Sequence, residues 1–398
     1  MGKDHRDIGR DLDLFSFHEV APGTVFWHGK GMIIWRELEK YLREKLDALG
    51  YQEVSTPVMV KKELFEKSGH WQHYRENMFT LDVDDQTYVL KPMNCPESTL
   101  IYSSRTRSYR DLPIRLSEIT GRLHRKELSG VVGGLLRVIQ MTQDDAHHYV
   151  RPDQIEQEVD DLMKLIKEFY SHFDMPLSFN LATKPDNAMG DPRVWKEAEH
   201  DLETALKKAK VKYQIKEKDG AFYGPKIDIN ITDSQGREWT VATIQLDFQM
   251  PEKFELEYVA EDGSKKRPVM IHRAILGTFE RFIGILLEHF QGALPLWISP
   301  IQAAVLPITS KQNDYAQKIF NDLDSSGIRA ELNIQNETVA KKIREAETQK
   351  IPYILIVGEK EEKSKSAALR IRLRGDAGQV KVDKLIEKLK KKIYNKEI

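Results

Sequence analysis

Apolar residues recur near a 3.6-residue period along 32–49, where Ile34, Leu38, Leu42, Leu46 and Leu49 fall on one stripe, so an amphipathic helix is predicted there. Gly50 supplies its stop, and YQEVSTPVM continues as a strand punctuated by Pro57. From about 79 to 150 the pattern changes to short strand-like runs, MFTLDV, TYVLKPM, PIRLSEI and LLRVIQM, separated by loops. That spacing predicts an antiparallel sheet rather than βαβ units. A helix is expected over 155–173, strands over 222–231 and 238–249, and a helix from about 274 to 290. After LWISP the order becomes AAVLPI, helix, GIRAELNI, helix, YILIVG, LRIRL, helix, which predicts a small α/β domain. The expected fold is α+β: an antiparallel sheet flanked by helices over 1–298, then a small α/β domain over 299–398. The boundary falls in the Pro295–Pro300 region.

Composition narrows the class. A chain of 398 residues is long for one core, which favours two or three domains. No apolar run approaches the roughly 18–20 residues of a membrane span. The N-terminal KDHRDIGRDLD alternates acid and base, unlike a secretory or mitochondrial targeting peptide. Gly2 lacks the Ser or Thr at position 6 of a myristoylation signal. A single cysteine, Cys95, rules out an intrachain disulfide framework and suits a reducing cytoplasm. The net charge of −1 says little about partners, but residues 300–398 carry 20 Lys/Arg against 14 Asp/Glu, a modest basic footprint. The run Lys384 to Lys396 could track phosphates; more often such a run is the solvated face of a terminal helix, with Ile386, Leu389 and Ile393 turned inward.

Chemistry concentrates in three stretches. If RVIQMTQDDAHHY is a strand, Met141, Gln143, Asp145 and His147 share one face. An amide, a carboxylate and an imidazole in a row make a plausible pocket floor, or else a solvated strand face. Arg125 and Glu127, two apart, would project together from an adjoining strand. The Arg125 fork suits a carboxylate or a phosphate, although a surface ion pair is the commoner fate of Arg-x-Glu. In KPMNCP, Cys95 sits between Asn94 and Pro96 in a polar loop, an unusual address for a core cysteine. Cysteine with two histidines would make a three-ligand zinc site with an open fourth position. Spacing cannot choose among twelve histidines, and His147 and His148, adjacent on a strand, should not both ligate. In VMIHRAILGTFERFIGILLEHF, Ile275, Phe279, Phe282 and Leu286 form a helical stripe and Thr278 and Arg281 share an edge. Arg281 either snorkels to solvent or reaches into a cavity. His272, just before that helix, is equally readable as an exposed capping residue.

Taken together, GHW (69–71), KPMNCP (91–96), SYRDLPIR (108–115), HRKELSG (124–130), TQDDAH (142–147), FYGPKID (222–228), IQLDF (244–248) and HRAILGTFERFIGIL (272–286) resemble the threonyl-tRNA synthetase family. The resemblance runs from about residue 4 to the C-terminus. It implies a class II synthetase catalytic domain over 1–298 and an anticodon-binding domain over 299–398. The implied activity forms threonyl-adenylate from threonine and ATP with Mg²⁺, then transfers threonine to the 3′ end of threonine tRNA.

Residue roles follow from the same resemblance. Cys95, His147 and His272 match the zinc ligands, one ion per chain, and Gln143, Asp145 and Tyr223 the threonine pocket. Arg125, Glu127, Arg137, Met141, Thr243, Gln245 and Arg281 match ATP-site positions. Arg125 would bridge substrate carboxylate and α-phosphate, and Arg281 would stack on adenine. His70 matches the histidine that helps deprotonate the terminal ribose. Asn336, Glu361 and Arg370 match residues that read anticodon bases. A homodimer through the Pro57 region, a cytoplasmic location and no membrane partner are expected.

The chain departs from the family pattern at Met141, usually aromatic, at Thr240, often glutamine, and at Glu97-Ser98, often Gly-His. No editing domain is expected within these 398 residues, because the two predicted domains occupy them. A non-catalytic RNA-binding paralogue would predict damage at Arg125, Arg281 or the zinc set, all of which are intact. A class II enzyme for proline, serine or glycine would have no use for that set.

Overall fold

The amphipathic stretch forms a helix over Gly29–Ala48, with Ile34, Leu38, Leu42 and Leu46 buried. Gly50 follows it at φ +74°, a backbone conformation that glycine adopts without a Cβ penalty. The structure, a computed structural model, describes residues 2–126, 133–233 and 235–398. Two compact units are present: Met1–Ser16, Phe26–Lys40 and Ile285–Ile398 form one, and Phe17–Val25 with Tyr41–Gly284 form the other. In this division the N-terminal segments group with the C-terminal one.

In the larger unit a nine-stranded sheet runs in the order Tyr213–Lys216, Leu177–Ala182, Lys226–Thr232, Glu238–Asp247, Val269–Thr278, Gln140–Val150, Ile114–Glu118, Gln52–Glu53. Arg122–His124 pairs on the side of Gln140–Val150. The pairings are antiparallel except at the two ends, where Leu177–Ala182 with Tyr213–Lys216 and Gln52–Glu53 with Ile114–Glu118 are parallel. The antiparallel expectation thus holds for the interior of the sheet.

Two differences from the expected elements matter for the site. VMIHRAILGT is a strand, Val269–Thr278, and the helix begins only at Phe279. The helical stripe through Ile275 was misleading because the segment is buried on both faces, which erases the alternation that marks a half-exposed strand. His272 is therefore a central-strand residue, not an exposed cap. Cys95 is likewise not in a loop but opens the helix Cys95–Ser103, with Pro96 in its first turn.

Helix Ile155–Ser171 contributes Phe169 and Tyr170, which with Phe173 meet Phe282 at ring-centroid distances of 5.2–5.9 Å. All four rings are buried. Edge-to-face contacts of this kind add to the area buried by each ring.

The smaller unit holds a five-stranded sheet in the order Ala330–Leu332, Ala303–Pro307, Tyr353–Val357, Ser366–Ile371, Gly375–Lys381. The first three strands are parallel and the last two antiparallel. Gly375–Lys381 is a strand that the α/β pattern did not disclose. Its residues are mostly exposed, so no apolar alternation marks it. Side chains alternate by strand parity: Ala303, Val305, Leu355 and Val357 pack with Ile319, Leu323, Leu385 and Leu389, whereas Ala304, Leu306 and Ile354 pack with Ala346 and Ile351. Ile386 and Ile393 dock against the first of these clusters, so the basic terminal helix Val382–Tyr394 is solvated on its other face. No helix among the described residues is long and apolar enough to cross a membrane.

Phe282→Ala should lower stability by about 3–5 kcal/mol, the cost of emptying a closed aromatic site. Urea unfolding followed by far-UV circular dichroism checks it; a change below about 1 kcal/mol would mean that the four-ring cluster is not cohesive.

Candidate active site and metal cluster

The site is built on the pairing of Gln140–Val150 with Val269–Thr278. Their register sets His147 opposite His272 and Asp145 opposite Ala274. The two imidazoles meet edge to face at 5.0 Å. Cys95, at the helix start, joins them: donor atoms of Cys95, His147 and His272 all lie within 4.8 Å of one another, and all three residues are buried. Spacing alone could not select this trio from twelve histidines. His148, on the opposite face, binds Glu158 through Nδ1 at 2.9 Å, as strand alternation requires.

The donor chemistry fits a metal. Burial holds the His147 imidazole well below its ordinary pKa, aided by His272, so it is neutral, the form in which an imidazole can ligate. Burial also pushes the Cys95 thiol well above its usual range, with Asp145 adding to the effect, so an ion would bind by displacing that proton. The Nε2 of His272 donates to Asp247 at 2.9 Å, leaving Nδ1 as the other donor. A carboxylate fixing a ligating imidazole in this way is the usual outer-shell arrangement. Asp247 was missed by sequence reasoning although it stands in IQLDF; nothing local marks it as the partner of a histidine 25 residues away. Another group, Asp4, His5 and Glu288, lies in the smaller unit, where the Nδ1 of His5 is hydrogen-bonded to Glu288 at 2.7 Å.

Beside the trio is a cavity of about 610 Å³. Its lining includes Arg125, Gln143, Tyr223, Thr243, Gln245 and Arg281, six of the expected substrate positions. Tyr223 links cavity and trio, since its ring lies 4.9 Å from that of His272. Its hydroxyl donates to Gln245 at 2.6 Å, and Gln245 donates to Thr243 at 3.1 Å. The Tyr223 segment must run tightly over the sheet, because a Cβ on Gly224 would stand 1.7 Å from the carbonyl oxygen of Leu246. Asp145 lies beside the trio, 3.7 Å from the His147 Nε2 and accepting from Asn94 at 3.1 Å. Burial raises its carboxyl pKa, opposed first by His272.

Other expected residues sit elsewhere. His70 is wholly buried, with Nδ1 on the Ser68 hydroxyl at 2.8 Å and Nε2 3.5 Å from the Cys95 sulfur. It packs edge to face on Phe222 rather than lining the cavity, and burial pushes its pKa down to about 3. Met141 is buried against Leu123 and Val138, and its sulfur meets Arg125 Nη2 at 3.8 Å. Arg137 is half-buried in the turn that pairs it with Gly133, outside the cavity lining. Glu127 lies outside the described residues.

Two aromatic contacts were not anticipated. The Arg281 guanidinium lies 5.5 Å from the Trp239 ring, and His73 stacks on Phe222 at 4.4 Å. Thr278 ends the strand rather than sharing a helix edge, and its hydroxyl accepts from the Arg281 backbone N–H at 3.3 Å.

In the smaller unit, Asn336 and Glu361 follow the C-terminal ends of the parallel strands Ala330–Leu332 and Tyr353–Val357, the edge where open α/β sheets usually bind ligands. Glu361 accepts from the Gly358 N–H at 3.0 Å, capping its own short helix. Arg370 pairs in register with Ile354, nearer the other end of that strand, and donates to Glu347 at 3.0 Å.

The sequence profile of the tRNA synthetase class II core domain (G, H, P, S and T) matches residues 79–290, and that of an anticodon-binding domain matches 302–392. The chain belongs to the class II tRNA synthetase family. It is 51% identical over 396 residues to a threonine–tRNA ligase of Caldanaerobacter subterraneus subsp. tengcongensis, covering all of this chain and 61% of that protein. It is 51% identical over 394 residues to the Carboxydothermus hydrogenoformans enzyme of the same name, covering 99% and 62%. It thus spans about three-fifths of the length of these curated relatives. A crystal structure described as the RNA-binding domain of threonyl-tRNA synthetase from Cryptosporidium parvum Iowa II superposes with a TM-score of 0.94, at 39% identity, covering 98% of both chains.

Glu280, 2% exposed, accepts from the Thr142 N–H at 3.0 Å, and burial pushes its pKa up to about 7. Its unfolded value is 4.5. Folding therefore takes up a proton between these values: the residue costs nothing below about pH 4.5, and its full penalty, on the order of 3 kcal/mol, applies above pH 7. Glu280→Gln should accordingly raise the melting temperature more at pH 8 than at pH 5. Equal shifts at both pH values would contradict the perturbed carboxyl.

Proposed function

We propose that the chain is a threonine–tRNA ligase that forms threonyl-adenylate from threonine and ATP and passes threonine to the 3′ end of its tRNA. The observation that carries this reading is the cysteine–histidine–histidine trio beside a cavity that also presents Arg125 and Arg281. Cys95, His147 and His272 would hold one zinc ion, whose open coordination sphere would take the substrate's amino group and hydroxyl. Asp145 would accept from that hydroxyl, while Gln143 and Tyr223 close the amino-acid end. Arg125 lies where it could hold the substrate carboxylate against the ATP α-phosphate. Arg281 would lay its guanidinium plane on the adenine. Adenylate formation of this kind needs positioning and charge neutralisation more than a protein nucleophile, with ATP as its Mg²⁺ complex. Valine nearly matches threonine in shape, and an apolar pocket separates such pairs by only about 10²-fold. A site that demands the hydroxyl should do much better.

Asn336, Glu361 and Arg370 would read anticodon bases on their Watson–Crick edges. A second copy would pack on the Pro57 region, where Met59 and Leu100 are about half exposed around an apolar cavity of about 510 Å³.

ATP–pyrophosphate exchange across the amino acids should be strongest with threonine and near background with valine; exchange led by proline, serine or glycine would reject the reading. The purified chain should carry stoichiometric zinc, lost in Cys95→Ser. Zinc that survives that substitution would reject the ligand set.

Arg370→Ala and Asn336→Ala should each cost about 1–3 kcal/mol in tRNA charging while leaving exchange nearly intact. A parallel loss in both assays would show that these side chains support the fold instead.

A further inference from the structure

Opposite the trio's face of the sheet, the same two strands part company. Ala274 pairs with Asp145, yet Thr278 is the next paired residue, with Gln143. Ile275, Leu276 and Gly277 therefore face the single residue Asp144, a bulge of two extra residues. A bulge inside a buried sheet strands backbone N–H groups that the ladder no longer serves, and leaving them unpaired would cost about 1–3 kcal/mol each.

Asp144 meets that need. It is wholly buried, on the face opposite Gln143 and Asp145. Its carboxylate accepts from the N–H of Ile275 at 2.8 Å and of Leu276 at 3.0 Å, the two residues displaced from the ladder. Arg273 braces it through Nη1, 3.2 Å from the carboxylate and 2.5 Å from the Asp144 carbonyl oxygen. The Tyr170 hydroxyl donates to the carbonyl of Ile275 at 2.9 Å. Gly277 completes the bulge at φ +75°, where a Cβ would stand 3.0 Å from the carbonyl oxygen of Val241. Just past the bulge, Glu280 reaches back to accept from the Thr142 N–H. One carboxylate thus runs from Gln140–Val150 to the bulge, and the other returns to the same strand from the helix after it.

The bulge delivers one end of the cavity. Ala274, Gly277, Thr278 and Arg281 all line it. We propose that Asp144 and Glu280 are positioning residues that clamp this bulge and so fix Thr278 and Arg281 for the nucleotide. The proposal rests on the reading that this cavity binds ATP. The threonine end stands on Gln143, Asp145 and Tyr223, none of which belongs to the bulged segment 275–277, and should be less affected.

The test uses ATP–pyrophosphate exchange on the full chain. Asp144→Asn leaves one acceptor oxygen for two N–H groups, and Glu280→Leu leaves none for Thr142. Each should raise the KM for ATP by tenfold to a hundredfold, the scale of a misplacement near 1 Å, with the threonine KM held within about twofold. Glu280→Gln retains an acceptor oxygen and should restore the parent ATP KM. Amide hydrogen exchange over 275–278 should accelerate in Asp144→Asn while the Lys226–Thr232 strand stays protected. Unchanged ATP KM, or ATP and threonine KM rising together, would overturn the clamp, as would unchanged protection of 275–278. If Asp144→Asn does not fold, the contrast between Glu280→Leu and Glu280→Gln decides alone. A parent chain without threonine-dependent exchange would count against the proposed function, and the protection of 275–278 would then judge the clamp by itself.

Discussion

A slip of one residue between Gln140–Val150 and Val269–Thr278 would turn every side chain of one strand to the other face. His147 would then face away from His272, and Asp145 would leave the cavity side. The register is held from outside the site. Both strands are buried nearly throughout, and the Asp144–Arg273 pair ties them together on the far face. The cavity-side face can therefore carry polar and ionisable groups, because the opposite face supplies the cohesion.

That division has a thermodynamic cost. Asp144, Asp145, Glu280, His70 and His147 are all ionisable groups with little or no contact with water, and burial shifts each away from its ordinary pKa. A fold optimised for stability alone would replace several with apolar residues, since a buried ion pair rarely outperforms a well-packed hydrophobic one. Asp144 shows why replacement would fail locally: the bulge has backbone donors that only an acceptor on that face can satisfy. Asp144 and Glu280 go with the irregular strand, which brings Thr278 and Arg281 to the cavity.

Much of this was legible in the residues. The face Met141, Gln143, Asp145, His147 is a strand face, and the alternating C-terminal pattern is a small α/β sheet. The bulge was not legible, because four consecutive apolar or small residues, Ala274 to Gly277, carry no period that separates helix from buried strand. Cys95 was misplaced for a related reason. Proline at the second helical position looks like a loop signal in sequence and is a helix-start signal in structure. Asp247 and Trp239 were invisible because their partners, His272 and Arg281, are 25 and 42 residues distant, and only the strand register brings each pair together.

Arginine is used here in two opposite ways. Arg273 is a strut: fully buried, held by Asp144 and lying 5.0 Å from the Tyr51 ring, it would cost several kcal/mol to move because its charge would lose its partner. Arg125 and Arg281 instead lie against a thioether at 3.8 Å and an indole face at 5.5 Å, and Arg281 Nε also donates to the Leu136 carbonyl at 3.1 Å. Such contacts are worth about 1 kcal/mol or less at partly exposed sites and demand little desolvation. A guanidinium parked against such a group can exchange one planar or polarisable partner for another. Met141 fits this scheme: a methionine keeps a polarisable surface beside the arginine. The difference between the strut and the two parked side chains lies in what each faces.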